Sequence, residues 1–303
     1  LVGLELSPSR LWLLRRDIFL FGPLQVILCG LGMFAVVHFA MPSFSWEAAL
    51  VLGLPLALSS TAQVLPLLQS RGRMKTAYGE KSFSILLFQD ISIVPMLTIV
   101  AALSRAPALE GAIEGWTLAL YAVLAIVALV LAGRYLLSPL LRLVGKISER
   151  ELFIVTGLFT VCVSAAVMQA IGVSPALGAF VAGVMLADSP YRHELEADID
   201  PFRSILLGLF FLAVGMLLDV DVILAQPLFV ASLALALVAV KITVIFALGR
   251  FFGLKSKQSI IMAMLLSQGG EFAFVLFTAA QQALLIEPEA RSLFGAVVTL
   301  SMA

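Results

Sequence analysis

Three ionisable residues lie inside long apolar runs of this 303-residue chain: Asp90, Lys241 and Glu271. A charged group at bilayer depth is costly to hold there, so it marks by default an ion pathway, a proton relay or a buried partner. A carboxylate in that setting can bind either a proton or one alkali cation. The plainer alternative is a structural ion pair, for example Asp90 with Lys241, that holds helices together and carries nothing. Neutral oxygens stand close by in sequence: Ser59, Ser60 and Thr61 in one run, Gln89 beside Asp90, and Gln268 shortly before Glu271. Hard cations prefer oxygen ligands, which hydroxyls and freed backbone carbonyls supply.

The elements that must position these residues are membrane helices. Apolar residues make up 61% of the chain and charged residues 13%, with a mean hydropathy of +1.09. A soluble domain holds about 45–50% apolar and about 25% charged residues, so that class is excluded. Crossing about 30 Å of hydrocarbon takes about 20 apolar residues. Nine runs qualify, over 18–41, 47–69, 83–104, 116–137, 151–172, 174–188, 202–219, 227–249 and 258–285, and another begins near Ser292. At 1.5 Å per residue, Asp90, Lys241 and Glu271 each fall near the midplane of their run. The run over 174–188 is short and carries small residues at Ser174, Gly178 and Ala182, which predicts a closely packed helix.

Two runs carry interruptions at the same depth. One reads Pro55-Leu56-Ala57-Leu58-Ser59-Ser60-Thr61-Ala62 with Pro66 beyond, and the other reads Ser267-Gln268-Gly269-Gly270-Glu271. Proline removes a backbone donor and paired glycines favour unwinding, so both helices are expected to break. The two segments run in opposite directions. That pattern predicts an all-α polytopic membrane protein built from inverted repeats, with two broken helices crossing at a midplane ion site.

Loop charges agree with this segmentation. Sixteen of the 19 basic residues fall on alternate loops, while only Arg105 and Arg291 fall on the others and Lys241 alone lies within a run. The positive-inside rule then places the basic loops in the cytoplasm. Both ends read as truncated, since the chain starts at Leu1 without a signal region and stops within an apolar run. Cys29 and Cys162 sit in apolar runs without metal-ligand spacing, and His38 lies near a run's end as an interfacial residue. Basic residues confined to loops exclude nucleic acid as a partner.

Beyond these patterns, Gly3-Leu4-Glu5-Leu6, Ser59-Ser60-Thr61-Ala62, Leu86-Leu87-Phe88-Gln89-Asp90-Ile91, Gly178-Ala179-Phe180-Val181-Ala182-Gly183, Tyr191-Arg192-His193-Glu194-Leu195-Glu196, Phe210-Phe211-Leu212-Ala213-Val214-Gly215-Met216 and Ser267-Gln268-Gly269-Gly270-Glu271-Phe272-Ala273-Phe274 recur in one order. Together they resemble the Kef-type glutathione-gated potassium efflux systems, within the second monovalent cation/proton antiporter family. The resemblance covers essentially the whole chain, as a single transmembrane antiporter domain over 1–303. It implies an elevator mechanism, in which a core with two broken helices moves against a dimerisation domain, and hence a homodimer in the cell (inner) membrane. It also implies that Asp90 carries the ion, with Lys241 as its charge partner in one state. The electrogenic sodium branch carries two adjacent aspartates where this chain has Gln89 before Asp90, which favours potassium and one-for-one exchange. Kef-type chains add a cytosolic nucleotide-binding regulatory domain after the last helix, which this sequence does not include.

No cofactor is implied, only transported potassium or sodium and protons. A ligand-gated, channel-like potassium efflux system is the alternative class, although no selectivity-filter sequence is found. An enzyme lacks any catalytic constellation. The loop holding Arg192, His193, Glu194, Asp198 and Asp200 is expected to contact a regulatory partner. Neutralising it by Asp198→Asn with Asp200→Asn should change gating and leave selectivity alone; unchanged basal flux and unchanged response to regulator in the full-length protein would remove the loop from that role.

Overall fold

The computed structural model describes residues 14–105, 150–170, 175–187 and 220–302, with scattered positions among 124–139 and 189–216. Among these described residues the ordered elements are all helical. A π-helical turn, Asp17–Phe21, leads without a break into α1, Gly22–Ala40, and Pro23, which has no N–H to give the ladder, directly follows that turn. Next come α2, Trp46–Leu56, α3, Thr61–Ser70, and α4, Ala77–Ala102. Then follow α5, Arg150–Ala170, α6, Pro175–Ala187, and α7, Val220–Ala225. The chain continues as α8, Pro227–Phe251, α9, Ser256–Leu265, α10, Phe272–Gln282, and α11, Pro288–Met302.

Four of these segments, Leu14–Ala40, Trp46–Ser70, Ala77–Ala102 and Pro227–Phe251, are long and apolar enough to cross a bilayer. Their ends lie near the apolar runs read from sequence, with two differences. α4 starts at Ala77 rather than near 83 because Thr76 caps it, its hydroxyl taking the Gly79 amide at 3.2 Å. α11 likewise starts at Pro288, ahead of Ser292. Hydropathy marks where a helix enters lipid, whereas caps and prolines mark where it begins. The runs over 116–137 and 202–219 fall largely outside the described residues.

Both expected interruptions are present. α2 ends because Pro55 has no amide to carry the ladder forward, and the chain tightens as Ala57 and Leu58 donate to the carbonyls of Leu54 and Pro55. Ser60 then restarts the helix by capping α3, its hydroxyl accepting from the Gln63 amide at 3.3 Å. α9 stops at Leu265 and α10 resumes at Phe272, with Gly269 and Gly270 between them.

The chain divides into two compact units. One takes in Pro107–Ala213, where α5 and α6 pack closely and Gly178 lies against the backbone of Ser164 and Ala165. Gly178, one of the small residues expected to make 174–188 a close-packing helix, therefore packs on α5, while Ser174 lies outside the described residues. The other unit, Leu14–Ala106 with Val214–Ala303, contains both broken helices. Its core gathers Val26 of α1, Leu58 of the first break, Ile93, Met96 and Leu97 of α4, and Leu276 of α10.

Because lipid tails are as apolar as leucine, helices within a membrane associate by close packing more than by the hydrophobic effect. α1 and α2 show this at Gly53, where an added Cβ would lie 2.5 Å from the Phe34 nitrogen and 2.7 Å from its Cα. Backbone cannot move aside as a flexible side chain can. Gly53→Ala should therefore cost about 1–3 kcal/mol, the range for overpacking, read as a lower melting temperature of the purified protein. Gly208→Ala, whose Cβ would meet nothing within 4 Å, should show no such loss.

Candidate functional site

The two interrupted helices touch backbone to backbone. A Cβ on Gly270 would lie 2.9 Å from the Ser59 carbonyl oxygen and 3.0 Å from its carbon, so only glycine permits the approach. Ser59 Oγ donates to the Leu266 carbonyl at 2.8 Å, tying the first break to the second.

Lys241 of α8 fastens the crossing. It is fully buried, and its ammonium donates to the Leu58 carbonyl at 2.6 Å, the Gln268 carbonyl at 2.7 Å and Ser59 Oγ at 2.9 Å. Three donors thus meet three oxygens, two of them carbonyls freed by the breaks. They lie just past the C-terminal ends of α2 and α9, where helix dipoles place partial negative charge. A buried cation is tolerable only with such partners.

The acidic groups collect at the opposite polarity. Asp90 of α4, 3% exposed, accepts on Oδ1 from Thr61 Oγ1 at 3.4 Å. Glu271, 8% exposed, accepts on Oε1 from the Ala62 amide at 3.3 Å, while its Oε2 is buried without a hydrogen-bond partner. Thr61 and Ala62 are consecutive residues at the start of α3. One helix N-terminus therefore holds two carboxylates from different helices, at the end where its dipole favours negative charge.

The whole length of the chain, residues 1–303, matches the transmembrane sodium/hydrogen exchanger family. The chain belongs to that family. Among solved structures it is similar to the sodium proton antiporter MjNhaP1 from Methanocaldococcus jannaschii, at 12% identity and a TM-score of 0.66, covering 99% of this chain and 78% of that one. The exchanger's fold is thus that of an antiporter, an all-helical membrane protein with crossing broken helices.

Of the residues singled out from sequence in this exchanger, Ser59, Thr61, Gln89, Asp90, Lys241, Gln268 and Glu271 converge on the crossing. Three of the singled-out residues take defined parts in holding the crossing. Ser60 acts as the cap of α3, Gln268 contributes its backbone carbonyl, and Lys241 directs its protons to the breaks. Arg192, His193, Glu194, Asp198 and Asp200 lie outside the described residues. Cys29 is buried, Cys162 is exposed, and His38 stacks on Phe34 with ring centroids 5.6 Å apart.

Sequence reading missed Gln25 and Ser301. Gln25 is fully buried and bonded to Gln89, and the Ser301 hydroxyl takes the Gly269 amide at 2.9 Å. Gln25 was findable, because it is the one amide in the run 18–41 and a polar group at that depth needs a reason. Ser301 gave no comparable signal.

Replacing Lys241 with methionine would leave two break carbonyls and a hydroxyl without their donor. At about 1–3 kcal/mol for each buried polar group left unmade, Lys241→Met should lower the melting temperature sharply. A variant that melts with the parent protein would show that the breaks hold without this cation.

Proposed function

We propose that this exchanger moves one alkali cation, preferentially potassium, against one proton, with Asp90 binding the two alternately. The observation that carries the reading is the placement of Asp90: buried, in contact with Thr61, beside a crossing where hydroxyl, amide and freed carbonyl oxygens gather. A carboxylate so placed offers one negative site, and hard-cation ligands lie around it. Membership of the sodium/hydrogen exchanger family supports cation/proton exchange in general, and Gln89 supports the finer choice. A neutral amide beside Asp90 leaves one carboxylate where two would carry an extra charge, so exchange is one for one and insensitive to voltage.

Alternating access follows the elevator scheme, in which the unit bearing the crossed helices shifts against a dimerisation surface within a homodimer. The protein sits in the cell membrane with its basic loops in the cytoplasm. The Arg192 to Asp200 loop faces a cytosolic regulatory domain of the Kef type. Thr61 serves as a cation ligand through its hydroxyl, and Glu271, held on the Ala62 amide, adds a fixed acidic group that does not exchange.

Exchange measured in proteoliposomes under an imposed pH gradient, with potassium and sodium compared, tests the reading. Asp90→Asn keeps shape but cannot ionise, and should abolish exchange without unfolding the protein. Thr61→Val should raise the half-saturating cation concentration and spare the fold. In the parent protein that concentration should climb as pH falls, because protons compete for the same carboxylate. Near-normal exchange by Asp90→Asn would overturn the mechanism; normal half-saturation in Thr61→Val would remove that hydroxyl alone.

A further inference from the structure

Two main-chain groups of the first break are left over from the helix ladder: the Ala57 carbonyl and the Ser59 amide. Both are satisfied by side chains from other helices. The Ser59 N–H donates to Gln89 Oε1 at 2.8 Å, Gln89 Nε2 donates to Gln25 Oε1 at 2.7 Å, and Gln25 Nε2 donates to the Ala57 carbonyl at 3.1 Å. Gln89 Nε2 also lies 3.4 Å from the Ala57 carbonyl and from Ser59 Oγ. The relay leaves the break at Ser59, crosses α4 and α1, and returns to the break at Ala57.

The orientation of both amides is fixed by the backbone. Ser59 N–H can only donate, so it must face the oxygen of Gln89, whose NH2 then turns to Gln25. The Ala57 carbonyl can only accept, so it must face the NH2 of Gln25. Both side chains are sealed from solvent, Gln25 at 0% and Gln89 at 1% exposure, so water cannot substitute for either. An ionised acid at position 89 could accept from Ser59, yet its second oxygen would face the Gln25 oxygen and the Ala57 carbonyl with no proton to give. Buried acceptors set against one another are costly.

We propose that Gln25 is a positioning residue of the cation site, which holds the first break in its ion-binding shape by anchoring the Gln89 amide and the Ala57 carbonyl. It rests on the reading of Asp90 as carrier, and extends it by assigning the shape of the break beside Asp90 to a residue on another helix.

The test uses the full-length protein in proteoliposomes, with potassium or sodium as the probe cation, and follows both exchange and the cation-induced rise in melting temperature across pH. Gln25→Leu removes the relay and should raise the half-saturating cation concentration about tenfold, the equivalent of one to two buried hydrogen bonds. Gln25→Glu can donate to the Ala57 carbonyl only when protonated, so its exchange and its cation-induced stabilisation should recover as pH falls, giving a profile displaced to the acid side. A merely structural role would lower stability in both variants without that displacement. A parental pH profile for Gln25→Glu overturns the proposal, even where Gln25→Leu does not fold. Half-saturation within twofold of the parent in Gln25→Leu overturns it as well. Asp90→Asn in the same assays keeps the two readings apart: surviving exchange sinks the carrier role, while the Gln25→Glu pH profile still reports the relay.

Discussion

The crossing of the broken helices depends on one cation that is part of the protein. Lys241 Nζ bridges the Leu58 and Gln268 carbonyls, one from each break, and takes Ser59 Oγ as a third acceptor. A helix interrupted inside a membrane leaves carbonyls that water cannot reach, and lipid offers them nothing. Ending two helices at one point doubles the problem and concentrates partial negative charge. A lysine from a continuous helix meets both needs at once, since its long stem crosses apolar surroundings and its three protons match three oxygens.

The opposite helix ends raise the mirror-image requirement. The start of α3 presents amides beyond its own ladder and a positive dipole end, and there the acidic residues gather, Glu271 on the Ala62 amide and Asp90 on the Thr61 hydroxyl. Fixed charges and helix dipoles thus alternate through the crossing. Each charge meets oriented polar groups in a place that water does not reach. The close approach of Gly270 to Ser59 sets the scale, because any side chain there would separate the breaks and stretch every bond that spans them.

Much of this was legible in the sequence. Nearly continuous apolar runs interrupted by Pro55 and by Gly269-Gly270 foretold the breaks, because helical propensity and missing backbone donors act locally. Asp90, Lys241 and Glu271 announced themselves as ionisable residues at bilayer depth, since lipid penalises such residues wherever they have no use. Ser59 and Thr61 stood out through their proximity to a break.

What the sequence by itself determined, then, was a multi-pass helical membrane protein with two interrupted helices and a set of buried polar residues. Which atoms of those residues face one another was decided only by the tertiary structure. Gln268 gives a backbone oxygen rather than its amide, Ser60 turns to cap its own helix, and Gln25 reaches Gln89 from 64 positions away in the chain. Hydropathy and propensity are properties of a residue and its near neighbours. Hydrogen-bond direction is a property of pairs brought together from distant segments, so only the packed helices could settle whether an amide donates, accepts or does both.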